Sequence, residues 1–526
     1  MHKHAEDEPR DIHTLLNRAR TRAEDIIRRT ERLLSEYQQF NDLRQKQRTA
    51  VVVPGQKVLV NSAKTEHAAA TRMLGELRSR PLTSAGDDDD DAPGSLETVE
   101  HICEKLECSN VYSLETAWDV VKRCGGLEQL ASRFSLHPSV GPCPLCRSKA
   151  VKKCPPKGKQ DSRSVVYVDA VVNGGAEWLR IMGIDERRLL HEMAEMGWDW
   201  GAEDETDDED DGCDVSVANV VRQLVAAARA NRHEYRPPRL HLVFTRIAEG
   251  SNPEIDRLIR KLRAIPRQGV ELQIDCADSQ FLTAPPPLLD AALQTLVAED
   301  LSNITSTVNL DCSILVALAS DVTHSDIDIQ PWHRNDVVVQ IREEAELGSS
   351  LVKALYPVLR SRRLVCTAKA AQRFWEIVDT IATEAEAARA EIILPRSRSP
   401  GKTTEELVAE LQALSAHPVD PDLRLPIGVV DHGVSEELVS AAEPSRLPRS
   451  AEFVSPILSE LNRDIYLYGW LQDITTMTAN NSLAKQIRML VEEQRTDDDE
   501  AGPKIWVFPF TRALATKGRP AARGVS

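Results

Sequence analysis

Aromatic residues are scarce in this chain: Phe, Trp and Tyr make up 4% of its 526 residues, against a hydrophobic share of 41%. A globular protein is expected, with cores built on Leu, Val, Ile and Ala. No run of about 18 apolar residues occurs, so no transmembrane helix and no membrane partner are expected. The charged opening of the chain predicts no secretory signal. The 10 cysteines are scattered and do not form a disulfide framework. That points to a reducing compartment, cytoplasm or nucleus. There is no P-loop and no Gly-x-Gly-x-x-Gly, so nucleotide hydrolysis is not expected. There is no His-x-x-x-His pair, so an open zinc-hydrolase site is not expected either.

What the chain has in excess is acid. The net charge is −17, but it is concentrated: Asp87–Asp91 supplies 5 negative charges and the run 203–214 supplies 9 acidic residues. Taking these 14 from −17 leaves −3, so the overall sign says little about the partners of the folded part. Both runs read as solvated linkers.

The N-terminal part reads as mainly helical. Leu16, Ala19, Ala23, Ile26, Thr30, Leu33, Tyr37 and Phe40 alternate spacings of three and four. They predict one long amphipathic helix with a seam for helix–helix or coiled-coil contact over residues 12–40. Its other positions hold Arg18, Arg20, Arg22, Arg28, Arg29 and Arg32, with Glu24 and Glu31 interleaved, which reads as a solvated face, with contact to phosphate or an acidic partner as the alternative. Further helices are predicted at 63–80, from Leu96, at 114–123 and at 127–134.

Residues 137–163 differ. Cys143-Pro144-Leu145-Cys146 aims two thiolates at one tetrahedral point, and Cys154 and His137 are the local candidates to complete a zinc site, with Cys124 in reserve. A second Cys-x-x-Cys is missing, and a Lys/Pro-rich insertion with free thiols is the alternative. Residues 165–169 and 178–182 predict a hairpin. Residues 239–244, 255–262 and 269–274 predict strand, helix, strand, a βαβ unit. Pro285-Pro286-Pro287 marks a break.

The remainder is organised around Thr307-Val308-Asn309-Leu310-Asp311. A short strand ends at an Asp, and an apolar helical stretch follows. In an open parallel sheet, ligands bind outside the carboxyl ends of the strands, so Asp311 is either a metal-binding carboxylate or a cap on the helix that begins at Cys312. Strands are predicted at 337–341, 363–367, 427–430, 464–468, 474–478 and 504–508, with helices between them. That alternation is α/β.

Several phrases coincide in order. They are Asn309-Leu310-Asp311-Cys312-Ser313-Ile314-Leu315, Leu364-Val365-Cys366-Thr367 with Ala370 and Phe374, Glu386 with Arg389-Ala390, Thr476-Met477-Thr478-Ala479-Asn480, and Arg512-Ala513-Leu514. Through them the chain resembles the eukaryotic family of domain of unknown function 1308. Val168-Asp169, Gly174-Gly175 and Trp178 resemble that family's N-terminal companion domain. The resemblance implies a PIN-like α/β fold, a parallel-sheet three-layer sandwich. It would occupy residues 237–516, after a mainly helical α+β domain at 1–236 and before a disordered basic tail at 517–526.

A PIN-like nuclease clusters carboxylates around Mg²⁺ or Mn²⁺, which generates the attacking hydroxide. By this resemblance Asp311 and Glu386 would be catalytic metal ligands, Asn480 an auxiliary ligand and Arg512 a nucleic-acid phosphate contact. Where the resemblance calls for an acid, this chain has Trp470 after Gly469, and Thr478-Ala479-Asn480 replaces Thr-x-Asp. Asp321 and Asp473 are the acids available as substitutes. Two readings follow: a degenerate, non-catalytic scaffold for RNA or protein, or a metal-dependent ribonuclease.

Overall fold

The computed structural model describes residues 12–47, 52–79, 96–136, 165–197, 215–265, 267, 269–397, 401–431, 447–495, 497 and 500–515. The proposed zinc ligands His137, Cys143, Cys146 and Cys154, both acidic runs and the basic tail lie outside them.

The chain opens with four helices: α1 (Ile12–Gln47), α2 (Gln56–Ser79), α3 (Leu96–Glu107) and α4 (Val111–Val121). The seam of α1 forms as its spacing dictates, and all eight of its residues are buried. It is buried against α2, α3 and α4 of the same chain. Tyr37 and Phe40 meet Trp118 of α4 edge-on at ring separations of 5.4 and 6.0 Å. The helix–helix contact expected over residues 12–40 is met within the chain, which uses the apolar face itself. The arginine face is not simply solvated either. Arg32 pairs with Glu36 at 2.9 Å, and Glu36 in turn receives Trp118 Nε1 and Lys122 Nζ from α4. Among the described residues, no helix is long and apolar enough to cross a membrane.

A first sheet follows, made of β1 (Gln129–Ser135), β2 (Val165–Val172), β3 (Glu177–Met182), β4 (Arg239–Phe244) and β5 (Leu272–Asp275), in that spatial order. β1, β2 and β3 pair antiparallel, whereas β4 and β5 continue parallel to β3. Two expectations change here. Residues 127–134, read as helical, are largely β1, because pairing with β2 (Ser132 opposite Val168) overrides local helix preference. The expected division at 236/237 cuts through this sheet. β4 bonds to β3 in register Trp178 to Leu240, so the βαβ unit extends the N-terminal sheet instead of opening the C-terminal one.

His241 ties three of these strands together. Its two ring nitrogens lie 2.8 Å from Glu177 of β3 and 2.8 Å from Asp275 of β5.

The second sheet contains β6 (Thr307–Leu310), β7 (Arg363–Thr367), β8 (Gly428–Val430), β9 (Thr475–Thr478) and β10 (Ile505–Val507). Its spatial order is β10-β9-β6-β7-β8 and every pair is parallel. The α/β expectation holds, with two strands too many. Residues 337–341 belong to the helix Asn335–Leu347, where Val337 and Ile341 are buried but Val339 is exposed, a helical spacing and not an alternation. Residues 464–468 belong to the helix Glu460–Leu471, capped by Ser459 and buried almost all round against β6, β7 and β9. A short apolar run does not distinguish strand from buried helix. Gly469 permits the close approach, since a Cβ there would sit 2.0 Å from Thr476 Oγ1.

His324, fully buried, donates from Nε2 to the Leu318 carbonyl at 2.9 Å. Burial, with Arg389 adding to it, pushes its pKa from 6.5 down to about 3. The unfolded chain therefore binds a proton here that the native chain refuses. Stability is expected to fall as pH drops from 6.5 toward 3. Urea midpoints measured from neutral to acid pH should show this, and His324→Gln should flatten that part of the profile.

Candidate site at the carboxyl ends of β6 and β9

From β6 the chain moves outward on one side to β7 and β8, then returns to β9 on the other side of β6. The crevice between the carboxyl ends of β6 and β9 is thus the topological switch point, where open α/β sheets bind ligands. Asp311 stands at one lip of this crevice and Thr478-Ala479-Asn480 at the other. The Asp311 N–H donates to the Met477 carbonyl at 2.9 Å, which locks the two lips together.

Asp311 occupies the cap position of the helix Cys312–Ala319, yet its side chain makes no capping bond. The cap reading of Asp311 therefore fails. Instead Oδ2 accepts from Thr478 Oγ1 at 2.6 Å and Ser313 Oγ at 2.9 Å. Ser313 Oγ also accepts the Ala479 N–H at 2.9 Å, and Thr478 Oγ1 accepts the Asn480 N–H at 3.0 Å. The residue is 7% exposed, and among the described residues it has no ion-pair partner. The buried Tyr466 hydroxyl lies beside this group. Burial and then the Asp311 charge push its pKa up, Thr478 draws it part of the way back, and among the described residues it makes no hydrogen bond of good geometry. The Cys312 thiol is pushed up to about 12, first by burial and then by Asp311, so it stays protonated.

The other expected site residues are engaged elsewhere. Glu386 is wholly buried at the third position of the helix Glu384–Ile393 and closes a capping box with Thr383. Its Oε2 accepts the Thr383 N–H at 3.0 Å, and its Oε1 accepts the N–H groups of Asp321 at 2.9 Å and Ala515 at 2.7 Å. Burial raises its pKa and these three bonds oppose the rise. Asn480 caps the helix Asn481–Gln494 by accepting the Leu483 N–H at 3.1 Å.

Arg512 is not a surface phosphate contact. Its side chain is 0% exposed and pairs with Glu344 at 2.7 Å and Glu343 at 3.0 Å. Asp321 pairs with Arg389 at 2.8 Å and receives the Thr383 hydroxyl at 2.6 Å. Asp473 lies at the opposite, amino end of β9, paired with Lys504 at 2.8 Å. The Cys124 thiol is buried and raised to about 12.

Only Asp311 and Asn480, of the residues expected to converge, meet at the crevice. Among the described residues, no three His, Cys, Asp or Glu side chains are arranged to hold a metal ion. The donor set does not fit a divalent cation that wants several oxygen ligands, because Glu386 and the substitute acids are committed to the fold. The reading from sequence did not assign Ser313, Thr478 and Tyr466 to the site. Ser313 and Thr478 were visible as the small hydroxyl residues flanking the strand ends, whereas Tyr466 was hidden by the strand assigned to its helix.

Residues 308–416 match the family described as Protein of unknown function (DUF1308). The chain carries a DUF1308 region. That region holds β6, β7 and Asp311 but ends before β8, β9 and β10, so the crevice has one lip inside the match and one outside it. No curated protein and no solved structure matches the chain.

Proposed function

We propose that the parallel-sheet half, with its DUF1308 region, is a PIN-like domain without metal-dependent cleavage, and that it serves as a non-catalytic scaffold for a protein partner. One observation carries this reading. Of Asp311, Glu386, Asn480 and Arg512, only Asp311 brings a charged oxygen to the crevice that the fold does not already use. The all-parallel order around β6, with an Asp at its carboxyl end, supports the PIN-like fold. The burial of Arg512 favours a protein over RNA, whose binding rests on exposed cations.

A metal-dependent ribonuclease acting on single-stranded RNA is the second reading. It is favoured by the position of Asp311 at the switch point, where among the described residues no hydrogen bond falls on Oδ1. Titration of the full chain with Mn²⁺, beside Asp311→Asn, separates the two. The scaffold reading expects no saturable binding in either protein, and binding that depends on Asp311 would transfer the assignment to the ribonuclease.

A further inference from the structure

Between β5 and the helix Leu289–Val297 the chain runs through Ala284-Pro285-Pro286-Pro287-Leu288. The flanks of the three prolines are already in the polyproline II region: Ala284 has φ −56°, ψ 143° and Leu288 has φ −54°, ψ 139°. Each proline ring fixes its own φ and biases the residue before it to the same extended conformation. The segment is held at both ends. Arg123 Nη1 donates to the Phe281 carbonyl at 3.0 Å and to the Ala284 carbonyl at 2.9 Å, while the Leu288 carbonyl accepts the Ala292 N–H at 2.9 Å.

Between these anchors the surface is open. Pro285, Pro286, Pro287 and Leu288 are all exposed. Leu288, at 82%, is the most exposed large apolar side chain among the described residues. No hydrogen bond from a described residue falls on the three proline carbonyls. A stiff, extended, solvated run with free acceptors and a projecting apolar side chain is what proline-reading modules grip in aromatic-lined grooves. Its rigidity lowers the entropy lost on docking.

We propose that residues 284–288 are a docking segment for such a module, of the WW type that takes adjacent prolines. The spacing argues against the SH3 type: three residues beyond Pro285 stands Leu288, so Pro-x-x-Pro is absent. The nearest exposed charge downstream is the acid Asp290. This assignment is independent of the crevice at β6 and β9.

The test is fluorescence titration of the folded full chain against a panel of purified, labelled WW domains, with an SH3 panel beside it. Saturable binding by WW domains is expected, weakened at least about tenfold by Pro286→Ala and by Leu288→Asp. Leu288→Asp guards against a folding artefact, because the side chain is almost wholly in solvent and circular dichroism should be unchanged. Absence of saturable WW binding, binding indifferent to both substitutions, or binding by SH3 domains alone would each overturn the proposal.

Discussion

Replacing Arg512 by alanine is expected to lower the stability of the fold by about 3–5 kcal/mol, the cost of leaving one member of a buried ion pair without its partner. The guanidinium is fully enclosed, donates from Nε at 2.9 Å and Nη2 at 2.7 Å to the same oxygen of Glu344, and from Nη1 to Glu343 at 3.0 Å. Glu344 is itself only 5% exposed, so removing Arg512 strands a carboxylate in the interior. The contrast is Lys504→Ala. Its partner Asp473 is 82% exposed, and the loss there should stay below about 1 kcal/mol. Urea denaturation of the three proteins reads both effects. If Arg512 were instead a phosphate contact, its substitution would leave the midpoint in place and change only nucleic-acid affinity.

Glu386→Ala should be the second large loss, about 3 kcal/mol or more, because three backbone donors lose their acceptor and each unmet buried donor costs about 1–3 kcal/mol. Those donors belong to three separated segments: the start of the helix Glu384–Ile393, the turn at Asp321, and the C-terminal stretch at Ala515. Glu386 is therefore a joint between segments of the second half. The Ala515 amide should report the change directly, by faster hydrogen exchange in the variant. An unchanged urea midpoint would return Glu386 to the role of an uncommitted acid.

The same residues show where sequence was sufficient. The α1 seam was legible because a long periodic pattern admits one solution, and the place of Asp311 was legible because strand, Asp and helix follow each other without a break from Thr307 to Ala319. What was not legible is direction. Nothing in the run Asp464–Tyr468 says that its buried neighbours arrive all round a helix instead of on two faces of a strand. Nothing in Arg512-Ala513-Leu514 names Glu344 as a partner 168 residues away. Glu386 is a different case. Thr383-x-x-Glu386 is the spacing of a capping box, so the structural role was written in the sequence beside the resemblance that implied a metal ligand. The strands β4 and β5 formed as expected, but which sheet they would join depended on pairing that no local pattern encodes.

We propose that the crevice between β6 and β9 holds one partly engaged carboxylate, that of Asp311, and among the described residues no metal site. Calorimetric titration of the full chain with Mn²⁺ tests it most directly, with Asp311→Asn measured in parallel. The account predicts no saturable heat up to millimolar Mn²⁺ in either protein. Micromolar binding in the native chain that disappears in Asp311→Asn would contradict it and establish the crevice as an assembled metal centre.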